Sequence, residues 1–334
     1  MLLFLMGLPG GFAPWCETLT AELARSAGGP AELIRADTLA EVAASAIATG
    51  ASCAVVAARH PSGRLRAALV EHRRNFIVAL DDPRLALLDL VLGQAVGLAD
   101  AVQALASSCA ALMDCPAAPG ALVLHGEHDW PRPAATAAAI ANHCQIAVDD
   151  AALAGAVAAA AAAAPARLPH DSGAWWDGLT AAEQETVTGA IGPYVELDEN
   201  GELPAITWTG ALFFRGDRPN ERAAGPIDIT GRARCLIDGP HIMLPPGLWS
   251  LSLAARVSRE AAEHEFFVEV CTDERLAAGT IRPQREGSAG VALDFALDGA
   301  SDHPIAIRIS STRAAFDGAI ALAGATFRRA AAPA

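Results

Sequence analysis

The first fifteen residues, MLLFLMGLPGGFAPW, constrain the fold of this chain more than any other stretch. A continuous apolar run from Leu2 to Met6 is closed by Gly7, Pro9, Gly10 and Gly11. Such a run predicts a strand buried on both faces, as in the middle of a parallel sheet. Residues 16–25 follow with helical spacing, Leu19 and Leu23 falling on one face. Strand, glycine turn and helix form the layout in which backbone N–H groups at a helix N-terminus receive an anion. Yet Gly10-Gly11-Phe12-Ala13-Pro14 offers no hydroxyl and no cation, and Pro14 lacks a backbone donor.

The alternation continues. Residues 31–36 (AELIRA), 51–58 (ASCAVVAA), 75–80 (NFIVAL) and 121–125 (ALVLH) read as further strands. Between them, helices are predicted near 38–48, capped by Asp37 or Thr38, over 65–72, and as one long apolar helix over 85–105. Residues 133–143 and 149–164 read as helices, 165–171 as a loop, and 175–191 as a helix with the Thr180/Glu183 spacing of a capping box. This order predicts an α/β domain with a parallel sheet and helices on both faces.

Past residue 192 helical periodicity fades. Strand-like runs separated by Gly, Pro and Asp turns occupy 206–214, 227–237, 248–257, 265–271, 291–297, 304–310 and 319–327. Ile305, Ile307 and Ile309 alternate with Ala306, Arg308 and Ser310, which marks a strand with one wet face. Residues 239–249 read as an edge strand turning into a central one. The second half is therefore expected to be an antiparallel, jelly-roll-like β-sandwich. The expected domains are 1–195 and 207–330, joined by a linker at 196–206.

With 334 residues there is room for two cores. The net charge of −14 argues against nucleic acid or an anionic membrane surface as partner. All 24 basic residues are arginine, which excludes a Walker lysine or a Schiff base while leaving bidentate anion binding open. The seven cysteines form no CxxC pair, as expected for reduced thiols in a cytoplasmic protein. No basic n-region precedes the apolar N-terminus, so it is read as a core strand and not as a signal peptide. The alanine run at 151–164 is too short to cross a bilayer.

In sequence order the first half resembles the sulfotransferase family, whose P-loop-like fold binds the sulfate donor PAPS. Residues 5–15 sit where that family has a strand ending in GLPRSGTTW, the 5′-phosphate loop. FIVALDDPRLALLDL at 76–90 resembles the strand and RDPRDVVLSL segment that binds the 3′-phosphate. LVLHGEHD at 122–129 resembles a later strand ending in an acidic residue, here Glu127, and 179–194 resembles the closing helix. The resemblance implies vestigial donor-binding positions at Gly10, Gly11 and Arg84, and a general base at His60. It also exposes losses. The charged and hydroxyl residues of the first motif are gone, and Asp81 and Asp89 replace the family's Arg and Ser in the second. Two carboxylates repel a dianionic phosphate. The expectation is a degenerate domain without a cofactor, PAPS entering only if the donor site has been rebuilt.

Three other groups invite function. His125, Glu127, His128 and Asp129, with His143 downstream, have metal-ligating side chains, but consecutive strand-end residues point apart, and no metal is expected. Gly10 and Gly11 could hold an anion through backbone amides alone. In the second half Trp208 and Trp249 are candidates to stack on a sugar, against the alternative of core packing. Together these readings give a non-catalytic binding or scaffolding protein with a glycan or protein partner, as in bacterial polysaccharide production. The alternatives are an active sulfotransferase-like enzyme using His60, and a structural protein that oligomerises through its sandwich.

Overall fold

The computed structural model describes residues 1–49, 53–163, 172–200, 202–299 and 303–330. The chain divides into two compact units: 1–96 with 108–173, and 97–107 with 174–334.

The first unit is built on five parallel strands: β1 (Leu2–Gly7), β2 (Ala31–Arg35), β3 (Cys53–Ala58), β4 (Phe76–Leu80) and β5 (Ala121–His125). Their order is β2-β3-β1-β4-β5, so the opening apolar run is the central strand. Its register places Leu5 beside Ala57 on one side and Ile77 on the other. Helix α1 (Phe12–Gly28) covers one face together with helices Pro133–His143 and Asp150–Ala163, around Leu3, Leu5, Val55 and Ile77. Phe12, Cys16, Leu19 and Leu23 recur at three- and four-residue spacing and are all buried, which is why this segment is a helix on a sheet. On the opposite face Phe4, Met6, Val56 and Val78 are buried, and the Cys115 thiol reaches the Met6 sulfur at 3.8 Å.

Helices α2 (Leu39–Thr49) and α3 (Gly63–Glu71) begin on side-chain caps. The Glu41 carboxylate accepts from the backbone of Asp37 and Thr38, and the Ser62 hydroxyl accepts from the Leu65 N–H. The single helix expected over 85–105 is instead three pieces. Helix α4 (Pro83–Leu88) runs into a π-helical turn at Asp89–Gly93, and α5 (Leu98–Leu112) starts afresh. Ala95 at φ 55° between Gly93 and Gly97 breaks the run, because a left-handed residue cannot continue an α-helix. The loop expected at 165–171 lies outside the described residues.

In the second unit, helices Ser172–Asp177 and Ala181–Ala190 replace the one helix expected at 175–191. The break is the predicted capping box: Thr180 and Glu183 satisfy each other's backbone N–H and start the second helix. That helix belongs with the β-strands. The Thr186 and Thr209 hydroxyls are 2.7 Å apart, and a Cβ on Gly189 would lie 2.6 Å from the Thr207 carbonyl. The second unit therefore takes in residues from Ala174 onward together with 97–107, whereas the change of pattern along the chain suggested a linker at 196–206.

The strands of this unit are β6 (Ile206–Trp208), β7 (Phe214–Arg215), β8 (Arg218–Arg222), β9 (Ile227–Asp228), β10 (Cys235–Asp238), β11 (Pro240–Ile242) and β12 (Gly247–Val257), followed by β13 (Phe266–Cys271), β14 (Arg275–Ile281), β15 (Gly287–Leu297), β16 (Ile305–Ser311) and β17 (Ala319–Arg329). They make two antiparallel sheets. One has the order β14-β13-β16-β10-β7-β8 with β11 added on β16; the other has β15-β12-β17-β6 with β9 on β17. Two of these strands, β8 and β14, carry no clear apolar alternation and were not expected from the sequence; β8 is largely exposed. Each sheet buries one face. Trp249, Leu251, Leu253, Ala255 and Val257 do so along β12, and Ile305, Ile307 and Ile309 along β16, as their alternation predicted. The Phe327 ring lies at the middle of an aromatic group, 4.3 Å from Trp208, 6.5 Å from Trp249 and 6.3 Å from Phe295.

Candidate functional site

The glycine turn after β1, the 81–89 segment after β4 and His60 after β3 all lie at the carboxyl ends of three neighbouring parallel strands. That edge is where open α/β sheets bind ligands. The first two motifs meet there, as the resemblance implied, but the chain itself fills the space. The Gly11 N–H donates to Asp89 Oδ2 at 2.8 Å. A Cβ on Gly11 would lie 2.8 Å from that oxygen and 3.0 Å from the Trp130 ring, and a Cβ on Gly10 would lie 3.1 Å from Ala86. Both glycines are buried. Their lack of a side chain is therefore explained by close approach of α4, Asp89 and Trp130. The Trp130 ring extends this cover, with its centroid 5.7 Å from Phe12 and 6.1 Å from Trp15.

Asp89 is thus the anion at this helix N-terminus. A carboxylate there is favoured by the helix dipole and by the orphan N–H groups, as a phosphate would be. Removing it leaves a buried donor without a partner, which costs about 1–3 kcal/mol. Asp89→Ala is expected to lower unfolding stability by that amount in urea titration, and a change under 0.5 kcal/mol would contradict the capping role.

Asp81 is packed against Gly126, where a Cβ would come within 2.5 Å of its Oδ1. It sits at the same strand edge and adds a second carboxylate there. Arg84 is exposed in the first turn of α4, and its backbone N–H donates to Asp82 Oδ1 at 2.8 Å.

His60 is part of a short polar chain. Its Nε2 is 3.0 Å from the Ser108 hydroxyl, its Nδ1 is 3.9 Å from Asp37 Oδ2, and its backbone N–H donates to Asp37 Oδ1 at 2.8 Å. The order Asp, His, Ser resembles a nucleophilic relay, which sequence reading did not find because the three residues are far apart in the chain. Ser108 is fully buried, so its oxygen cannot meet a substrate carbonyl. The chain fixes the imidazole ring.

The 125–129 cluster serves the backbone. Asp129 Oδ2 accepts from the His125 N–H at 2.7 Å, and His143 Nε2 sits 3.0 Å from the Gly120 carbonyl. Among the described residues no group of three or more His, Cys, Asp or Glu side chains is placed to hold a metal ion. All seven cysteines are free. Burial raises the thiols of Cys109 to about 12 and of Cys115 and Cys144 to about 11, so these are inert packing groups.

Trp208 and Trp249 are both buried, at 0% and 1% exposure. This corrects the stacking role given to them: a ring enclosed by Phe327 has no face open to a sugar. The outer face of the larger sheet carries a group of charged side chains. There Arg308 Nε donates to Asp238 Oδ1 at 3.0 Å, and His241 Nε2 lies 3.4 Å from Asp238 Oδ2. These contacts, with His241 first and Arg308 next, hold the Asp238 carboxyl below its ordinary range. Glu269, opposite Arg308 in the register, accepts from Arg275 Nη1 at 3.3 Å. Beside Asp238 stands Phe214, whose ring carries the Arg222 guanidinium at 4.1 Å. Arg222 also donates to the Leu212 carbonyl and to Gln103 Oε1 and pairs with Asp100, which ties residues 97–107 to this unit.

No family model matches the sequence, and no curated protein matches it significantly. Solved structures that resemble parts of the chain include mouse sulfotransferase SULT7A1 complexed with PAP, at 12% identity and a TM-score of 0.36, covering 60% of this chain and 88% of that one. TmCBM61 in complex with beta-1,4-galactotriose matches at 9% identity and a TM-score of 0.26, over 40% of this chain and 93% of its own. A xylan-binding domain from CBM 22 matches at 14% identity and a TM-score of 0.21, over 39% and 86%. Likenesses this distant leave the functional reading to the geometry of this chain. No helix among the described residues is long and apolar enough to cross a membrane.

Proposed function

We propose that this chain is a non-catalytic binding or scaffolding protein. In this reading the first unit is a sulfotransferase-like domain whose donor loop has closed. The second is a jelly-roll-like sandwich that offers the Asp238–Arg308 face to a glycan or protein partner, in a setting such as bacterial polysaccharide production. The observation that carries the reading is the bond from the Gly11 N–H to Asp89 Oδ2. A phosphate arriving at that loop would have to displace a carboxylate already bonded there, with Asp81 at the same strand edge. Like charges at a partly buried site cost several kcal/mol. The outer face of the larger sheet supports the second half of the reading, because planar carboxylate and guanidinium groups beside a ring suit a hydroxylated surface.

Calorimetric titration with PAP tests the closed loop. The wild type is expected to show no binding up to millimolar PAP. The double variant Asp81→Arg, Asp89→Ser is expected to gain measurable affinity if the loss lies in those two carboxylates. Micromolar binding by the wild type would overturn the proposal and favour an active transferase with His60 as base.

A further inference from the structure

The parallel sheet of the first unit ends in β2 on one side and β5 on the other. Along β5 no residue is exposed, whereas β2 exposes Glu32, Leu33 and Arg35. On the α1 side of the sheet Arg35 Nη2 lies 4.0 Å from Glu17 Oε2, a nearly buried carboxylate that is ion-paired with Arg59.

The register with β3 decides which backbone groups β2 turns outward. Successive residues of a strand point their N–H and C=O groups to alternate sides. The Ala36 N–H donates to the Ala57 carbonyl, so Glu32 and Ile34, of the same parity, also face β3. Ala31, Leu33 and Arg35 therefore face away from it. The Ala31 carbonyl is met by Arg25 Nε at 3.3 Å. Leu33 and Arg35 are left along an edge that no strand among the described residues pairs.

A bare edge is a template for another strand, and chains that keep one in water guard it with charge, proline or a bulge. The edge strand β8 is guarded in this way: it reads RPNER, with Pro219 inside it. β2 contains no proline, and its pairing with β3 runs without a bulge. Leu33, 36% exposed, stands at the middle of its edge.

A second copy of the same strand meets the constraints that the parity sets. In an antiparallel pair about a twofold axis, outward residues must stand opposite outward residues. Leu33 opposite its own counterpart would also require Ala31, which Arg25 already engages. Leu33 of each copy opposite Arg35 of the other uses only those two residues, forms about four backbone hydrogen bonds and puts Ile34 on the axis. Glu32 then stands opposite Ala36, so no like charges face each other across the seam. The aliphatic stem of Arg35 covers Leu33 while its guanidinium stays in water.

From this geometry we infer that the chain forms a twofold dimer in which β2 of one copy pairs antiparallel with β2 of the other. The sheet then runs unbroken through both first units. The contact lies away from the face proposed for a glycan or protein partner.

Sedimentation velocity on the full chain tests the dimer. The wild type is expected to be mainly dimeric at about 100 μM, with a dissociation constant below about 50 μM, the weak end suited to a contact of this size. Leu33→Pro removes an outward N–H and no bond to β3, so it is expected to be a folded monomer at the same concentration. Leu33→Lys keeps that N–H but places a charge in the seam, and is expected to weaken association at least tenfold. Circular dichroism checks both folds; if the proline variant does not fold, the lysine variant decides alone. Hydrogen exchange reads the pairing itself. In the wild type the Leu33 and Arg35 amides are expected to exchange at least twofold more slowly at about 100 μM than at about 1 μM, the Glu32 and Ile34 amides being unchanged. A wild type that stays monomeric at about 100 μM would overturn the inference and leave the edge to a strand of another protein. So would a dimer that the folded variants retain, which would place the contact on another surface. A dimer whose Leu33 and Arg35 amides exchange at one rate throughout would overturn it too. None of these outcomes depends on whether PAP binds the donor loop.

Discussion

Arg59→Leu is expected to destabilise the first unit by about 3 kcal/mol near neutral pH. The leucine keeps the bulk of the side-chain stem but leaves Glu17 as a buried carboxylate whose main counter-charge is gone. Arg35 remains near the same carboxylate, which places the loss at the lower end of the range for a broken buried pair. The sign of the pH dependence follows from the direction of the shift. Glu17 already has its folded pKa raised above the ordinary value, chiefly by burial, and loss of Arg59 raises it further. A raised carboxyl binds its proton more tightly in the folded state. Its favourable contribution is therefore present below the unfolded pKa and lost as pH rises through the folded pKa. The variant is expected to close the gap to wild type as pH falls into the acid range and to widen it toward neutrality. Adding Glu17→Gln in the same chain removes the stranded charge and is expected to restore most of the loss at neutral pH. Urea unfolding of the three proteins at two pH values measures this. A deficit that is the same at both would show that the cost comes from packing.

Phe327→Ala is expected to cost the second unit about 3–5 kcal/mol, the range for truncating a buried aromatic. Phe327 is fully buried and in ring contact with Trp208, Trp249 and Phe295, so its removal opens a cavity with walls from β6, β12 and β15. Three large rings held by strand backbones cannot collapse far into that space, and edge-to-face ring contacts are lost with the volume. Native-state hydrogen exchange locates the effect. Amides of β6, β12 and β17 are expected to lose protection, since they open with the core they cover. A loss below 1 kcal/mol would mean that the aromatic group is loosely packed.

The burial of Trp208 and Trp249 was legible in the chain. Trp249, Leu251, Leu253, Ala255 and Val257 share one parity, and so do Ile206 and Trp208. The period-2 rule already places both tryptophans with the core, whatever an aromatic ring could do on a surface. Gly10 and Gly11 are ambiguous in the sequence for a different reason. A glycine turn before a helix reads the same whether a phosphate or a side chain of the protein approaches it. Only the position of Asp89, 78 residues away, decides that the approaching group is a carboxylate. The break between α4 and α5 was hidden because Leu85, Leu88, Leu90 and Leu92 before it and Leu98, Val102 and Leu105 after it are all apolar. The division of the molecule into units was hidden for a similar reason. Helical periodicity fades past residue 192, yet the capped helix before it is tied to Thr209 by the Thr186 hydroxyl.

What the sequence by itself determined is the parallel sheet, its five strands, the capping box at Thr180 and the change to antiparallel strands. Each of these follows from hydrophobic period and turn chemistry within a window of about twenty residues. Tertiary structure alone decided which polar groups meet: Asp89 with Gly11, Glu17 with Arg59 across 42 residues, and Asp37 with His60 and Ser108. Hydrogen bonds and ion pairs are short-ranged and leave no periodic trace along the chain. Their partners are therefore fixed by strand order and helix placement, and not by local pattern.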